Sequence, residues 1–221
     1  MLTAAIIGQS GKTRTANLVS SIFSTTGQKV SIIHSSDLAE LDFKVIRNYM
    51  SELVKNGVHI LILKINLSDM MKEVFNNIHF DIMIYTDKAD DILRRDTENY
   101  SEIMRKIFSR LDQKGIVIAN VDDDELVAFL QGMKCCTVTY GFNSKASITT
   151  SSVGDTISED NFMCCLQRTI STRNGQLVEP QEYRIRLEPG QLDAYNVLAA
   201  ASFALVNGVD LNTVNPFMLK M

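Results

Sequence analysis

Apolar and polar positions along this chain fall into two regimes. In the first, short apolar runs alternate with longer segments whose apolar residues recur at helical intervals. The runs Leu2–Gly8, Val30–His34, Val58–Ile65, Phe80–Tyr85 and Gly115–Ala119 read as strands, and Val58–Ile65 is nearly continuous, as expected of a strand buried on both faces. Between them the spacing predicts helices over Lys12–Thr25, Leu38–Lys55, Ser68–Asn77, Asp96–Leu111 and Asp124–Gln131, with Gly27 ending the first. Ile46, Tyr49, Met50 and Leu53 share one stripe of the second helix. Tyr100, Ile103, Met104, Ile107, Phe108 and Leu111 share one face of the fourth. Strands alternating with helices in this way specify βαβ units and a parallel sheet.

After Cys135 the helical period disappears. Ala146–Val153, Phe162–Ile170 and Tyr183–Leu187 are β-rich, and Arg173–Gln176 ("RNGQ") reads as a hairpin turn. Pro189-Gly190 interrupts the strands, and an alanine-rich helix follows over Leu192–Asn207 until Gly208. The expected fold is α/β: a P-loop-type, mostly parallel sheet flanked by helices, with a small antiparallel β extension in the second half. One domain is expected over residues 1–221: a βα core (1–133), a β-rich extension (134–190), and a closing helix with its tail (191–221).

Composition narrows the function classes. The chain has 221 residues, 45% of them hydrophobic and 22% charged, which is ordinary for a domain with a substantial core. A net charge of −4 argues against a nucleic-acid groove. No apolar run approaches the ~18 residues of a membrane span, and the first residues lack a signal-peptide pattern. A cytoplasmic protein with no membrane partner is expected. The cysteines form two adjacent pairs, Cys135-Cys136 and Cys164-Cys165. Neighbours on a strand face opposite ways, so one of each pair belongs in the core rather than in a disulfide or metal framework.

The candidate chemistry lies in "GQSGKTR", the junction of the first strand and first helix. Gly8 and Gly11 let backbone N–H groups approach an anion, and Gln9 and Ser10 lie between them. The helix that opens at Lys12 presents its positive end. Lys12 can reach outer phosphates, Thr13 can coordinate Mg²⁺, and Arg14 follows directly. The spacing is shorter than G-x-x-x-x-G-K-[ST]. The plain alternative is a glycine turn with an exposed lysine.

From here the sequence resembles the central, ATP-binding domain of the Mur ligases, most closely the enzymes that add the third residue to the UDP-muramyl peptide. Four landmarks carry the resemblance: "GQSGKT"; "IVIANVDDD" with Asn120, Asp122 and Asp123; "TYG" at Thr139–Gly141; and "EPGQLDAYNVLAA" with Tyr195 and Asn196. The family joins a carboxylate to an amine through an ATP-derived acyl phosphate. The resemblance implies Gly8, Gly11, Lys12 and Thr13 at the phosphates, Asn120 beside the adenine, and Asp122, Asp123 and Asn196 on the nucleotide side. It also implies ATP as ligand, a link to cell-wall peptidoglycan synthesis, and three domains, of which this sequence spans the central one. The surfaces that would meet the other two predict a homodimer or a partner protein, and "NPFMLKM" near the C-terminus is a candidate contact segment.

Three positions depart from the family pattern. Lys64 falls where a metal-binding glutamate is expected, Ile92 replaces a metal-binding histidine, and Met104 stands at the carbamylated lysine after Glu98-Asn99-Tyr100. Mg²⁺ is therefore in doubt. Lys64 either substitutes for part of the metal's charge or points to solvent. The acidic residues Asp87, Asp90 and Asp91 either rebuild a metal site with Thr13 or form a solvated turn. His34 ends a strand at the expected ligand edge, whereas His59 and His79 show no ligand spacing. Two functions remain open: an ATP-binding protein without full ligase chemistry, and an ATP-dependent amide ligase or ATPase subunit that works with a partner chain. An unrelated kinase-like P-loop protein is the third reading.

Overall fold

The computed structural model describes residues 1–8, 10–86, 97–151, 161–186 and 193–214. In chain order the elements are β1 (Leu2–Ile7), α1 (Lys12–Thr25), β2 (Val30–His34), α2 (Ser35–Ala39), α3 (Phe43–Lys55), β3 (Ile60–Ile65), β4 (Phe80–Tyr85), α4 (Thr97–Phe108) and β5 (Leu111–Asn120). There follow α5 (Asp124–Gln131), β6 (Cys136–Tyr140), β7 (Ile148–Thr150), β8 (Asn161–Leu166), β9 (Ile170–Ser171), β10 (Leu177–Val178), β11 (Gln181–Arg186) and α6 (Ala194–Val206). Among the described residues, nine strands form one sheet in the order β11-β8-β7-β6-β5-β4-β1-β3-β2. Pairing is parallel from β2 through β7. It turns antiparallel where β8 joins β7 and β11 joins β8. This is the expected α/β sheet with its small antiparallel extension.

Because successive side chains on a strand face opposite ways, β1 feeds two cores. Ala4 and Ile6 pack with α1 and α6 on one face; Ala5 and Ile7 pack with Met104, Ile107 and Phe108 of α4 on the other. The helix α6 is buried from Asn196 through Val206, as befits a segment apolar on all sides. Its alanines let it lie close to the sheet. Phe203 meets Phe23 of α1 edge to face, ring centroids 5.4 Å apart at 70°. Arg173 N–H donates to Val206 O at 2.8 Å, and Arg173 Nη2 lies 2.7 Å from Asp81 Oδ1, so the β9–β10 hairpin is tied to both α6 and β4. The hairpin turns at Gly175, with φ of 78°, inside the "RNGQ" stretch.

Several boundaries differ from those read in the sequence. The helix expected over Leu38–Lys55 is two helices. Asp42 adopts an extended backbone and its carboxylate accepts from Lys44 N–H at 2.7 Å, starting α3 afresh. Of the predicted stripe only Ile46 is fully buried, and Tyr49 is 37% exposed. The segment expected as a helix over Ser68–Asn77 forms two 3₁₀ turns, Leu67–Met71 and Glu73–Asn77. Arg110 holds this segment: its buried guanidinium donates to Met70 O at 2.9 Å and Asn76 Oδ1 at 3.0 Å, and burial pulls its pKa below the ordinary value. The strand expected at Gly115–Ala119 begins earlier, at Leu111, with a register shift between Phe80 and Ile82. Cys164 is buried and Cys165 half-buried; Cys135 packs against the core on the α4 face of the sheet and Cys136 is exposed. Burial pushes the Cys164 thiol well above its usual range, so it acts as a small apolar side chain. Among the described residues no helix is long and apolar enough to cross a membrane.

Candidate functional site

The strand β1 has β3 on one side and β4 on the other, so the chain order of the sheet reverses beside it. A crevice at such a point, beyond the carboxyl ends of the strands, is where open α/β sheets take ligands. Gly8 and the residues from Ser10 to Arg14 lie there. Gly8 and Gly11 have φ of 152° and 75°, both in the range that favours glycine. Gly11 is also the N-cap of α1. A Cβ on it would stand 2.3 Å from Asn196 Oδ1, so this loop and α6 touch through a gap that only glycine allows. Thr86, just past β4, braces the loop: its hydroxyl donates to Ser10 O at 2.9 Å and its N–H donates to Ile7 O at 3.0 Å.

A cavity of about 500 Å³ opens here, lined by Ser10–Arg14 with Asp193 and Asn196. Thr13 and Arg14 are exposed in it. Lys12 Nζ donates to Ile65 O at 3.1 Å and Asn66 Oδ1 at 3.2 Å at the end of β3. Asn66 is itself positioned: its N–H donates to Ser35 Oγ (3.0 Å) and its Nδ2 to Asp69 Oδ2 (3.2 Å), which also accepts from Ser35 Oγ (2.7 Å). This relay was not foreseen in the sequence, where the three residues look like ordinary loop polars. Lys64 Nζ donates to Thr13 Oγ1 at 3.1 Å while its residue is only 6% exposed. Lys64 therefore points inward onto the loop threonine, not to solvent. Asn196 is buried; its Oδ1 accepts from Thr15 Oγ1 at 3.1 Å, and its Nδ2 has no hydrogen-bond partner among the described residues. A buried amide left one partner short, at the wall of a cavity, fits a site that a polar ligand completes.

The other predicted residues divide. Asn120 is buried and its Oδ1 accepts from Asp122 N–H at 3.0 Å. The Asp122 carboxylate accepts from Phe142 N–H (2.7 Å), Asn143 N–H (3.0 Å) and Tyr195 O–H (3.2 Å). Asp123 is buried as the N-cap of α5, accepting from Leu126 N–H at 3.2 Å. Asp122 thus ties the loop after β6 to the first turn of α6. Tyr195 faces Asp122, and its neighbour Asn196 faces the glycine loop. Burial, with the adjacent Asp122 charge, pushes the Tyr195 phenol up to about 12, so it stays a neutral donor to that carboxylate. Phe142 is 43% exposed and meets Tyr195 edge to face at 4.8 Å. His34 caps α2. Gln9, Asp87, Asp90, Asp91 and Ile92 lie outside the described residues, as does the tail from Asn215.

Met104 is fully buried on the opposite face of the sheet, and its Sδ accepts from Tyr85 O–H at 3.5 Å. Tyr85 stacks on Phe108 with centroids 5.7 Å apart, and its carbonyl accepts from Tyr140 O–H at 2.5 Å. The position is a packed apolar one. For a divalent metal, the described residues offer Thr13 Oγ1, already engaged by an ammonium, and no group of three or more His, Cys, Asp or Glu residues that could hold an ion. The described donor set does not fit Mg²⁺ well. It does fit a phosphate-bearing ligand.

A mostly parallel sheet, a glycine-bounded loop after its first strand and a helix opening with Lys-Thr define a P-loop-type α/β domain. The chain belongs to the Mur ligase family: residues 6–204 match the Mur ligase middle domain. It is 23% identical over 230 residues to UDP-N-acetylmuramoyl-L-alanyl-D-glutamate–2,6-diaminopimelate ligase of Bacillus cereus, covering 95% of this chain and 44% of that enzyme. A solved structure of a ligase of the same name superposes with a TM-score of 0.74 at 19% identity, over all of this chain and 46% of the other. Escherichia coli FolC in complex with DHPP and ADP superposes with a TM-score of 0.64 at 16% identity, over 99% of this chain and 56% of FolC. The chain thus spans less than half the length of the two diaminopimelate ligases and 56% of FolC, and it shares the fold of a protein solved with ADP bound.

Proposed function

We propose that this domain binds ATP at the loop between β1 and α1 and does not itself carry out the amide ligation typical of its family. Lys12 would exchange its contacts on Ile65 O and Asn66 for the outer phosphates, with the positive end of α1 behind them. Asn196 Nδ2, without a partner among the described residues, would donate to the ligand. Asn120 and the Asp122–Tyr195 pair would shape the neighbouring wall where the resemblance puts the base. The ADP bound to FolC, a relative in fold, supports the choice of nucleotide.

The observation that carries the second half is Met104. An acyl-phosphate ligase needs cations to neutralise the phosphoryl group as it moves. At this position the resemblance calls for a carbamylated lysine, and the chain instead buries a thioether among apolar residues. Lys64 adds to this, because an ammonium cannot ligate a metal. A ligase or ATPase acting with a partner chain is the second reading; the intact Gly8, Gly11, Lys12 and Thr13 favour it. The test uses the substrates named for the relatives: UDP-N-acetylmuramoyl-L-alanyl-D-glutamate and 2,6-diaminopimelate, with ATP and Mg²⁺. We expect no ADP above the substrate-free blank and no amide product by mass spectrometry. Turnover would establish the second reading and overturn the first.

A further inference from the structure

We infer that the Lys64 ammonium is a built-in cation for the nucleotide phosphates, so that this site holds ATP without a divalent metal. The inference deepens the ATP-binding reading and rests on it. Lys64 pairs in register with Ile6 of β1 and His34 of β2, which puts its stem on the same sheet face as α1. The residue is 6% exposed, and its Nζ emerges at Thr13 Oγ1, 3.1 Å away.

Three features of this placement point the same way. First, the loop threonine hydroxyl is the oxygen that takes Mg²⁺ in P-loop sites. Here it accepts a hydrogen bond from an ammonium, which can only donate. A divalent ion bound to that oxygen would sit beside a fixed positive charge, and the two repel. Second, a buried ammonium needs a compensating charge. Among the described residues no carboxylate pairs with Lys64, and its ammonium donates to the neutral Thr13 hydroxyl. An anion in the cavity supplies what is missing. Third, the rest of the described cavity is built for an anion. Lys12 lies at the end of the same strand, the positive end of α1 opens into the cavity, and Asn196 Nδ2 is buried without a partner. Asp193, the acidic residue on this wall, has its Oδ1 engaged by Asn196 N–H at 3.3 Å as the N-cap of α6.

The test is calorimetric titration of ATP into the full chain, once with EDTA and once with excess Mg²⁺. We expect the two dissociation constants to agree within about threefold. Lys64→Met keeps the aliphatic stem and removes the charge; its affinity in EDTA should fall about tenfold or more. Lys64→Glu should bind ATP only when Mg²⁺ is present. Strict Mg²⁺ dependence in the unaltered chain would overturn the inference while leaving the ATP-binding reading standing, and that result requires no variant to fold. Undiminished affinity of Lys64→Met in EDTA would also overturn it. Absence of ATP binding in either buffer would overturn the reading beneath it as well.

Discussion

Gly11→Ala is expected to destabilise the domain by about 2–5 kcal/mol and to weaken ATP binding more than tenfold. Two costs combine. At φ of 75° an L-residue brings its Cβ against its own backbone, about 1–2 kcal/mol. The added methyl would also stand 2.3 Å from Asn196 Oδ1 and 3.3 Å from its Cγ, an overpacking cost of about 1–3 kcal/mol. Asn196 cannot simply step aside, because it is buried and accepts from Thr15 Oγ1. Any shift opens the wall between the loop and α6, which is the proposed nucleotide site. Urea unfolding and ATP titration of the single variant measure both effects. In the double variant with Asn196→Ala, the clash is relieved and the backbone strain remains, so only part of the stability should return. Wild-type stability and affinity in Gly11→Ala would contradict the close contact described here.

Phe203→Ala should cost about 3–5 kcal/mol, the usual range for an aromatic residue removed from a packed core. Phe203 is fully buried and contributes the edge-to-face contact with Phe23 through which α6 meets α1. The loss should appear as a lower urea midpoint with an unchanged slope. It should also reach the site, since the first turn of α6 carries both Tyr195 and Asn196. A cost below about 1 kcal/mol would show that α6 is not the buried helix that closes the sheet.

Much of this architecture is legible in the sequence because its signals are local. The runs at Val30–His34 and Phe80–Tyr85 are strands over those same residues, the first a half-buried edge strand and the second a buried one, and the helix over Lys12–Thr25 has the predicted bounds. What escaped depends on partners distant in sequence. The 3₁₀ turns before β4 follow from Arg110, more than 30 residues downstream, reaching back to Met70 and Asn76. The split of the second helix was locally encoded in Asp42, a capping residue that the hydrophobic stripe obscured. At the site, the glycine–lysine loop is readable as a short motif. The contact of Thr15 with Asn196, 181 positions apart, is not. The pair Asp122-Asp123 shows the same limit: adjacent carboxylates look alike in sequence, yet one caps α5 and the other fastens the loop after β6 to Tyr195. The burial of Met104 was legible, because every neighbour on its helix stripe is apolar.

On the proposed function, the loop between β1 and α1 holds a nucleotide. The most direct measurement is titration of ATP into the purified chain beside Lys12→Ala, with thermal melting to show that both are folded. Saturable one-to-one binding to the unaltered chain is expected, with a loss of about 10–100-fold in the variant from removing a charged donor to phosphate. Equal affinity in the two proteins, or no binding to either, would contradict it.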